Sequence, residues 1–161
     1  MHTLSWARPI LAVNSVGPEH KGLRPAAEIV MLPPGDMGDK LNELIAQATR
    51  QHQANAVFLM GIDSPNLPVS YLEEMFHLLQ HHEAVLGPCE DGGFYALALR
   101  CGKDLPRVED YFLGVPWSCD QTLSATQAVL SKWGLRVTLG RPWFDVDTPK
   151  DLLRLREMQK S

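Results

Sequence analysis

The chain has 161 residues, of which 45% are hydrophobic and 21% charged, and its formal net charge is −4. This size predicts a single domain over residues 1–161 with a core of its own. The acidic balance gives no electrostatic case for binding nucleic acid or an anionic membrane, and no apolar run approaches the roughly 20 residues of a membrane span.

The N-terminal residues carry no signal-peptide pattern, and the cysteines do not pair in sequence. Cys89, Cys101 and Cys119 are odd in number, far apart and in no CxxC motif. This usage predicts a protein of the reducing cytoplasm, without a disulfide framework or a zinc site.

The first half of the chain predicts three strands and two helices. Apolar runs at residues 9–13, 28–32 and 56–60 each stop at a turn-forming residue, as strands do. Between the first two, residues 16–27 are rich in Gly, Pro and charge and predict a loop. Apolar residues at helical spacing predict one helix capped by Asp36 and ending near His52, and another from about Val69 to His81.

The second half continues the alternation. Strands are predicted over residues 84–87, 94–99 and 135–139. A helix capped by Asp120 or Ser118 is predicted to end at Trp133 before Gly134, and a last helix to run over residues 149–159. Strands that alternate with helices of this length predict an α/β fold with a mostly parallel sheet and helices on both of its faces.

Asp63 follows the apolar strand at residues 56–60 and precedes the turn at Ser64-Pro65. In an open α/β sheet, ligands collect at the carboxyl ends of the strands. A carboxylate at that position is placed to hold a divalent cation against a phosphate. The alternative is that this segment only turns the chain and Asp63 caps the next helix.

Two glycine-containing loops also follow predicted strands. Gly35, Asp36 and Gly38 open a helix, where backbone N–H groups can approach an anion or a base edge, although such a segment is commonly only a turn. Asp91, Gly92 and Gly93 lie between two apolar strands, where the paired glycines permit close approach of a ligand or form a tight hairpin.

Asp145 and Asp147 are separated by one residue in a segment after the last strand. In an extended chain they point the same way and could share a cation, or Asp147 or Thr148 could simply cap the final helix. Trp117 and Ser118 could stack on a ring or a sugar, or Trp117 could be a core aromatic. Acidic or Gly-rich loops at the same end of several strands are what a phosphate and metal cleft requires.

Five segments taken together resemble a known family. In order they are Gly35–Leu41, Gly61–Pro68, Leu86–Tyr95, Gly114–Ser118 and Asp145–Leu152. They resemble the bacterial glycosyltransferase-A-like family of nucleotide-diphospho-sugar transferases, whose function is not established. The likeness to molybdenum-cofactor and phospholactate guanylyltransferases is more distant. The resemblance covers residues 8–155, and it implies a three-layer, Rossmann-like, mostly parallel sheet of the glycosyltransferase-A type.

The resemblance also implies a ligand and a site. The ligand would be a nucleotide sugar or nucleotide, with Mg²⁺ or Mn²⁺ as the metal. Asp63 and Asp147 would bind the metal. Asp63 would thereby also be catalytic, and Asp91 is our candidate for a second catalytic residue that activates the acceptor. The residues expected to bind substrate are Gly35, Asp36, Gly38, Ser64, Gly92, Gly93, Trp117 and Ser118.

One departure from the family concerns its opening strand and its Pro-x-x-Gly-x-x-Lys-Thr-Arg loop, which holds the nucleotide phosphates. Residues 9–13 align best with the family's second strand, which predicts a sheet without its first strand. In a rival alignment they are the first strand, with Lys21 and Arg24 in place of the basic loop. A missing unit would mean a misplaced start codon, a strand supplied by another subunit of a homo-oligomer, or a chain that no longer catalyses transfer.

Three functions follow from these patterns. The leading hypothesis is metal-dependent glycosyl transfer from a nucleotide sugar, which releases a nucleoside diphosphate. The second is nucleotidyl transfer to a small phosphorylated acceptor, which releases pyrophosphate. The third is a degenerate, non-catalytic domain that binds a ligand through the same cleft.

Overall fold

The computed structural model describes residues 7–15, 28–102 and 110–158. The loop predicted over residues 16–27, with Lys21 and Arg24, lies outside these ranges. The strands are β1 (Ile10–Val13), β2 (Glu28–Met31), β3 (Ala56–Met60), β4 (Ala84–Pro88), β5 (Phe94–Arg100) and β6 (Val137–Leu139). The helices are α1 (Met37–His52), α2 (Val69–Leu78), α3 (Thr122–Lys132) and α4 (Pro149–Met158). Each element predicted from the sequence is found, with some ends displaced by a few residues.

The larger sheet has the strand order β3-β5-β4-β6. Strands β4 and β6 are parallel, whereas β5 is antiparallel to both of its neighbours. Three of these four strands therefore run in one direction, and their carboxyl ends meet at one edge. Strand β5 is reversed because only five residues, Cys89–Gly93, connect it to β4, which suffices for a hairpin but not for a parallel crossover.

Strands β1 and β2 form a separate parallel pair. In the ranges given above, they form no ladder with the four-stranded sheet. Polar contacts nevertheless link this pair to α1. Glu28 of β2 accepts a 2.8 Å hydrogen bond from Arg8, and its other carboxylate oxygen lies 3.7 Å from the ring of His52, the last residue of α1.

The four-stranded sheet is the middle of three layers. Side chains of its strands alternate between two apolar clusters, as pleating requires. One face packs on α1 and α3, through Ala84, Leu86, Leu97 and Leu99 against Ile45 and Leu130. The other face packs on α2, through Val85, Ala96 and Ala98 against Leu72, Met75 and Leu79. The α/β class and the helices on both faces expected from the sequence are confirmed.

The N-caps of two helices differ from those predicted from the sequence. Helix α1 begins as expected, with a reciprocal capping box between Asp36 and Asp39. Helix α2 has Pro68 at its N-cap and no side-chain cap, so the alternative in which Asp63 caps it is wrong. Helix α3 has Gln121 at its N-cap rather than Ser118 or Asp120.

The reason for the difference at α3 is tertiary. The Leu123 N–H donates 2.9 Å to the carbonyl oxygen of Gly92 in the β4–β5 connection. A backbone carbonyl from a distant segment therefore satisfies an N–H that a local side-chain cap would otherwise serve.

An ion pair joins the starts of β4 and β6. Glu83 accepts hydrogen bonds from the Arg136 side chain at 2.6 and 2.9 Å and from the Arg136 N–H at 2.9 Å. The Arg136 guanidinium lowers the pKa of Glu83 from 4.5 to about 2.

Among the described helices, none has the length and apolar character needed to traverse a bilayer.

Candidate functional site

Asp63 lies in the loop that follows β3 at the carboxyl edge of the sheet. Its side chain is exposed, and its backbone carbonyl oxygen accepts a 2.9 Å hydrogen bond from the Val146 N–H. Because Val146 belongs to the segment after β6, this bond joins loops that follow the two outer strands.

Asp91 lies in the β4–β5 hairpin at the same edge. Its Oδ1 accepts a 2.9 Å hydrogen bond from the Gly93 N–H, and the Cys89 N–H closes the turn by donating 3.0 Å to the Gly93 carbonyl. Gly92 has a φ of +91°, and a Cβ there would overlap the backbone of Asp120. Gly92 is therefore needed for the turn itself, which supports the hairpin alternative for this pair of glycines.

Asp145 follows β6 and is partly buried. The segment that carries Asp145 runs beside the hairpin. Trp143 forms a parallel bridge with Cys89, and the backbone N–H of Trp143 donates a 2.9 Å hydrogen bond to the Pro88 carbonyl. The Asp145 Oδ1 accepts a hydrogen bond from the Ser64 hydroxyl. The structure thus brings Ser64, which we expected to bind substrate, onto a carboxylate.

Three side chains from these segments converge on one point. The Cys89 Sγ, a carboxylate oxygen of Asp91 and a carboxylate oxygen of Asp145 lie within 4.8 Å of one another. Burial raises the pKa of the Cys89 thiol well above its ordinary value, with Asp145 as the next contributor. A protonated thiol leaves the carboxylates as the charged donors, a set that suits a hard divalent cation. We call these three residues the ligand cluster.

Asp147 lies outside the ligand cluster but close to it. Burial raises its pKa, and the neighbouring carboxylates of Asp145, Asp63 and Asp91 raise it further. Four acids from three loops therefore share one region of negative potential at the carboxyl edge. Asp63 and Asp147, which we expected to bind a metal, both belong to that region, and their roles as ligands stay predictions.

The start of α1 reaches this edge through an aromatic contact. The Asp36 carboxylate is used in the capping box, and the adjacent Gly35 has a φ of +119°. Gly38 is buried, and a Cβ there would lie 3.3 Å from Phe112 Cβ and 3.5 Å from Trp117 Nε1. A larger residue at position 38 would therefore press on the Trp117 indole.

Trp117 is partly buried among aromatic rings. Its ring centroid lies 5.8 Å from that of Phe112 and 6.4 Å from that of Phe94, which opens β5. These contacts favour the core-aromatic alternative for most of the ring. Ser118 is exposed and has a φ of +58°, so the chain turns sharply after Trp117.

The metal ligands predicted from the sequence are Asp63 and Asp147, whereas the ligand cluster contains Asp91, Asp145 and Cys89. The sequence had indicated Asp145 as one of two acids in the same segment that could share a cation. Cys89 lies two residues before Asp91 in the same β4–β5 connection. That spacing is the signal that could have identified the thiol.

The sequence matches a family model over most of its length. The family described as "Uncharacterized protein conserved in bacteria (DUF2064)" matches residues 5–119, more than half of the chain. The chain belongs to this bacterial family. The match includes the loops that carry Asp63 and Asp91 and ends before the segment with Asp145.

A solved structure resembles this DUF2064 protein closely in fold. It is described as a "putative nucleotide-diphospho-sugar transferase" from Desulfovibrio desulfuricans G20, with a TM-score of 0.77 and 25% sequence identity. The similarity covers 93% of the present chain and 64% of that relative, so our chain spans less than two thirds of its length. Comparison with curated proteins gave no match.

Proposed function

We propose that this protein is a divalent-cation-dependent transferase that uses a nucleotide-sugar donor. The observation that carries the proposal is the convergence of the Asp91 and Asp145 carboxylates and the Cys89 thiol within 4.8 Å at the carboxyl edge of the sheet. A diphosphate carries concentrated negative charge, so an acidic cleft can bind it only with a cation between the two. The likeness to a nucleotide-diphospho-sugar transferase supports this choice of substrate class.

In this proposal Asp91 and Asp145 hold Mg²⁺ or Mn²⁺, together with Asp63 and Asp147. When bound, the cation supplies the positive charge that a departing nucleoside diphosphate needs. Asp91 is also our candidate for accepting the proton of the acceptor hydroxyl. The Gly35–Gly38 segment and the exposed Ser118 contribute to substrate binding, with the edge of Trp117 beside them.

All three cysteines are free thiols. We propose the reducing cytoplasm as the location, because the cysteines are odd in number, far apart in sequence and in no CxxC motif.

The test is a product assay on the purified protein with Mn²⁺ or Mg²⁺ and a panel of nucleotide sugars and nucleoside triphosphates. We expect a nucleotide sugar to raise the melting temperature in the presence of Mn²⁺ and to release a nucleoside diphosphate when an acceptor is added. Glu73→Gln, which neutralises an exposed acid on α2, is the control for changes in net charge.

Two results would contradict the proposal. Release of pyrophosphate from a nucleoside triphosphate would identify nucleotidyl transfer instead. A melting temperature that does not respond to any nucleotide sugar or triphosphate, with or without Mn²⁺, would favour a non-catalytic domain.

A further inference from the structure

We propose that Ser64 is a positioning residue that holds the Asp145 carboxylate in its cation-binding orientation. This inference rests on the proposed function, because it concerns the same site. It assigns Ser64 a role through Asp145 rather than through direct contact with substrate.

The geometry places the two residues together from distant parts of the chain. Ser64 and Asp145 are 81 positions apart, both are partly buried, and the Ser64 hydroxyl donates to the Asp145 Oδ1. The loops that carry them are held in register by the backbone hydrogen bond of 2.9 Å from Val146 N–H to the Asp63 carbonyl. The hydroxyl therefore meets the carboxylate on a fixed backbone frame.

A carboxylate needs such a partner because its terminal torsion is soft. Rotation about the last bond of an aspartate side chain has broad minima, so a free Asp145 would sample many orientations. A hydroxyl that bonds to one oxygen restricts this rotation and leaves lone pairs for a cation. Outer-shell hydrogen bonds of this type commonly change metal affinity by roughly 10–100-fold when removed.

The test is isothermal titration of Mn²⁺ into the wild-type protein and the variants Ser64→Ala and Ser64→Thr. We expect Ser64→Ala to raise the Mn²⁺ dissociation constant at least about tenfold. Ser64→Thr retains the hydroxyl and is expected to bind Mn²⁺ close to the wild-type level. Melting temperatures in EDTA report separately whether each variant is folded.

A control in the same loop separates the hydroxyl from loop rigidity. Asn66 has a φ of +66°, a conformation that glycine adopts readily, so Asn66→Gly loosens the loop without removing the Ser64 hydroxyl. We expect Asn66→Gly to bind Mn²⁺ close to the wild-type level, because the Ser64 hydroxyl and the carboxylates of the ligand cluster are unchanged.

The inference is overturned if Ser64→Ala binds Mn²⁺ as tightly as the wild type, or if Asn66→Gly weakens binding as much as Ser64→Ala. Either result leaves the proposed function standing, since the wild-type protein still binds the ion. If the wild-type protein itself does not bind Mn²⁺, both the positioning role and the cation-dependent function fail.

Discussion

The Val146 N–H donates a 2.9 Å hydrogen bond to the carbonyl oxygen of Asp63, although the two residues follow opposite outer strands of the sheet. Strands β3 and β6 are separated by two intervening strands, or about 14 Å at the usual spacing between strands. The two loops must therefore bend inward over the carboxyl edge to meet. This arrangement brings four acids from three loops into one region.

The first prediction concerns cation binding by Asp145. Asp145→Asn removes a charged donor from the ligand cluster, so we expect the stabilisation by Mn²⁺ to fall sharply, with at least about a tenfold loss of affinity. Because the variant also relieves repulsion with Asp147, its melting temperature in EDTA should equal or exceed that of the wild type. Thermal denaturation with and without Mn²⁺ measures both effects, and an unchanged Mn²⁺ response would contradict the assignment.

The second prediction concerns the turn that presents Asp91. Gly92→Ala places a Cβ at a φ of +91° and against the Asp120 backbone, so we expect a loss of stability of about 1–3 kcal/mol. The displaced hairpin should also weaken Mn²⁺ binding. Urea denaturation and isothermal titration are the measurements, and a variant of wild-type stability would show that the turn relaxes freely.

The third prediction concerns acid stability. The folded pKa of Glu83 is about 2 against an ordinary 4.5, so the stabilisation from its ionised form is complete above about pH 4.5. It is lost as the pH falls from 4.5 towards 2, where the folded protein also takes up the proton. We expect Glu83→Gln to reduce the free energy of unfolding by about 1–3 kcal/mol at pH 7, and by much less near pH 2.

The control for this prediction is Glu90→Gln. Glu90 also pairs with an arginine through two hydrogen bonds, of 2.8 and 2.9 Å to Arg154. The Glu90 side chain is 58% exposed, whereas that of Glu83 is 13% exposed, so water screens the Glu90 pair far more. Urea denaturation at several pH values should show a pH-dependent difference for Glu83→Gln that is much larger than for Glu90→Gln.

The fourth prediction concerns packing beneath the site. A Cβ at Gly87 of β4 would overlap the ring of Tyr95, whose hydroxyl donates 3.0 Å to the Arg141 carbonyl. We expect Gly87→Ala to destabilise the fold by about 1–3 kcal/mol through overpacking. Gly102→Ala is the matched control, since no described atom lies within 4 Å of a Cβ there. Equal unfolding midpoints for the two variants would rule out the steric explanation.

Much of the fold could be predicted because its signals are local. The apolar run at residues 56–60 coincides with β3. Asp36 caps α1 through a capping box with Asp39, which lies only three residues along the chain. The reversed direction of β5 was less evident, since an apolar strand carries no mark of its orientation. It follows from the short β4–β5 connection, which a parallel pair cannot use.

The site was harder to predict for a related reason. The segments that carry acids could be identified, but which of their side chains converge depends on contacts with residues far away in sequence. Ser64 lies 81 positions from Asp145, and no local pattern reveals their hydrogen bond. The predicted N-cap of α3 was wrong for the same reason. A carbonyl from the β4–β5 hairpin accepts the hydrogen bond that a local cap side chain would otherwise accept.

The burial of Cys89 has a practical consequence for chemical labelling. Thiolates react with maleimides, and the raised pKa of Cys89, together with its 6% exposure, makes that thiol a poor nucleophile. Cys119 is exposed and lies immediately after Ser118. A fluorophore or spin label will therefore attach first at Cys119, where it can test for binding of the proposed nucleotide ligand while the ligand cluster stays unmodified.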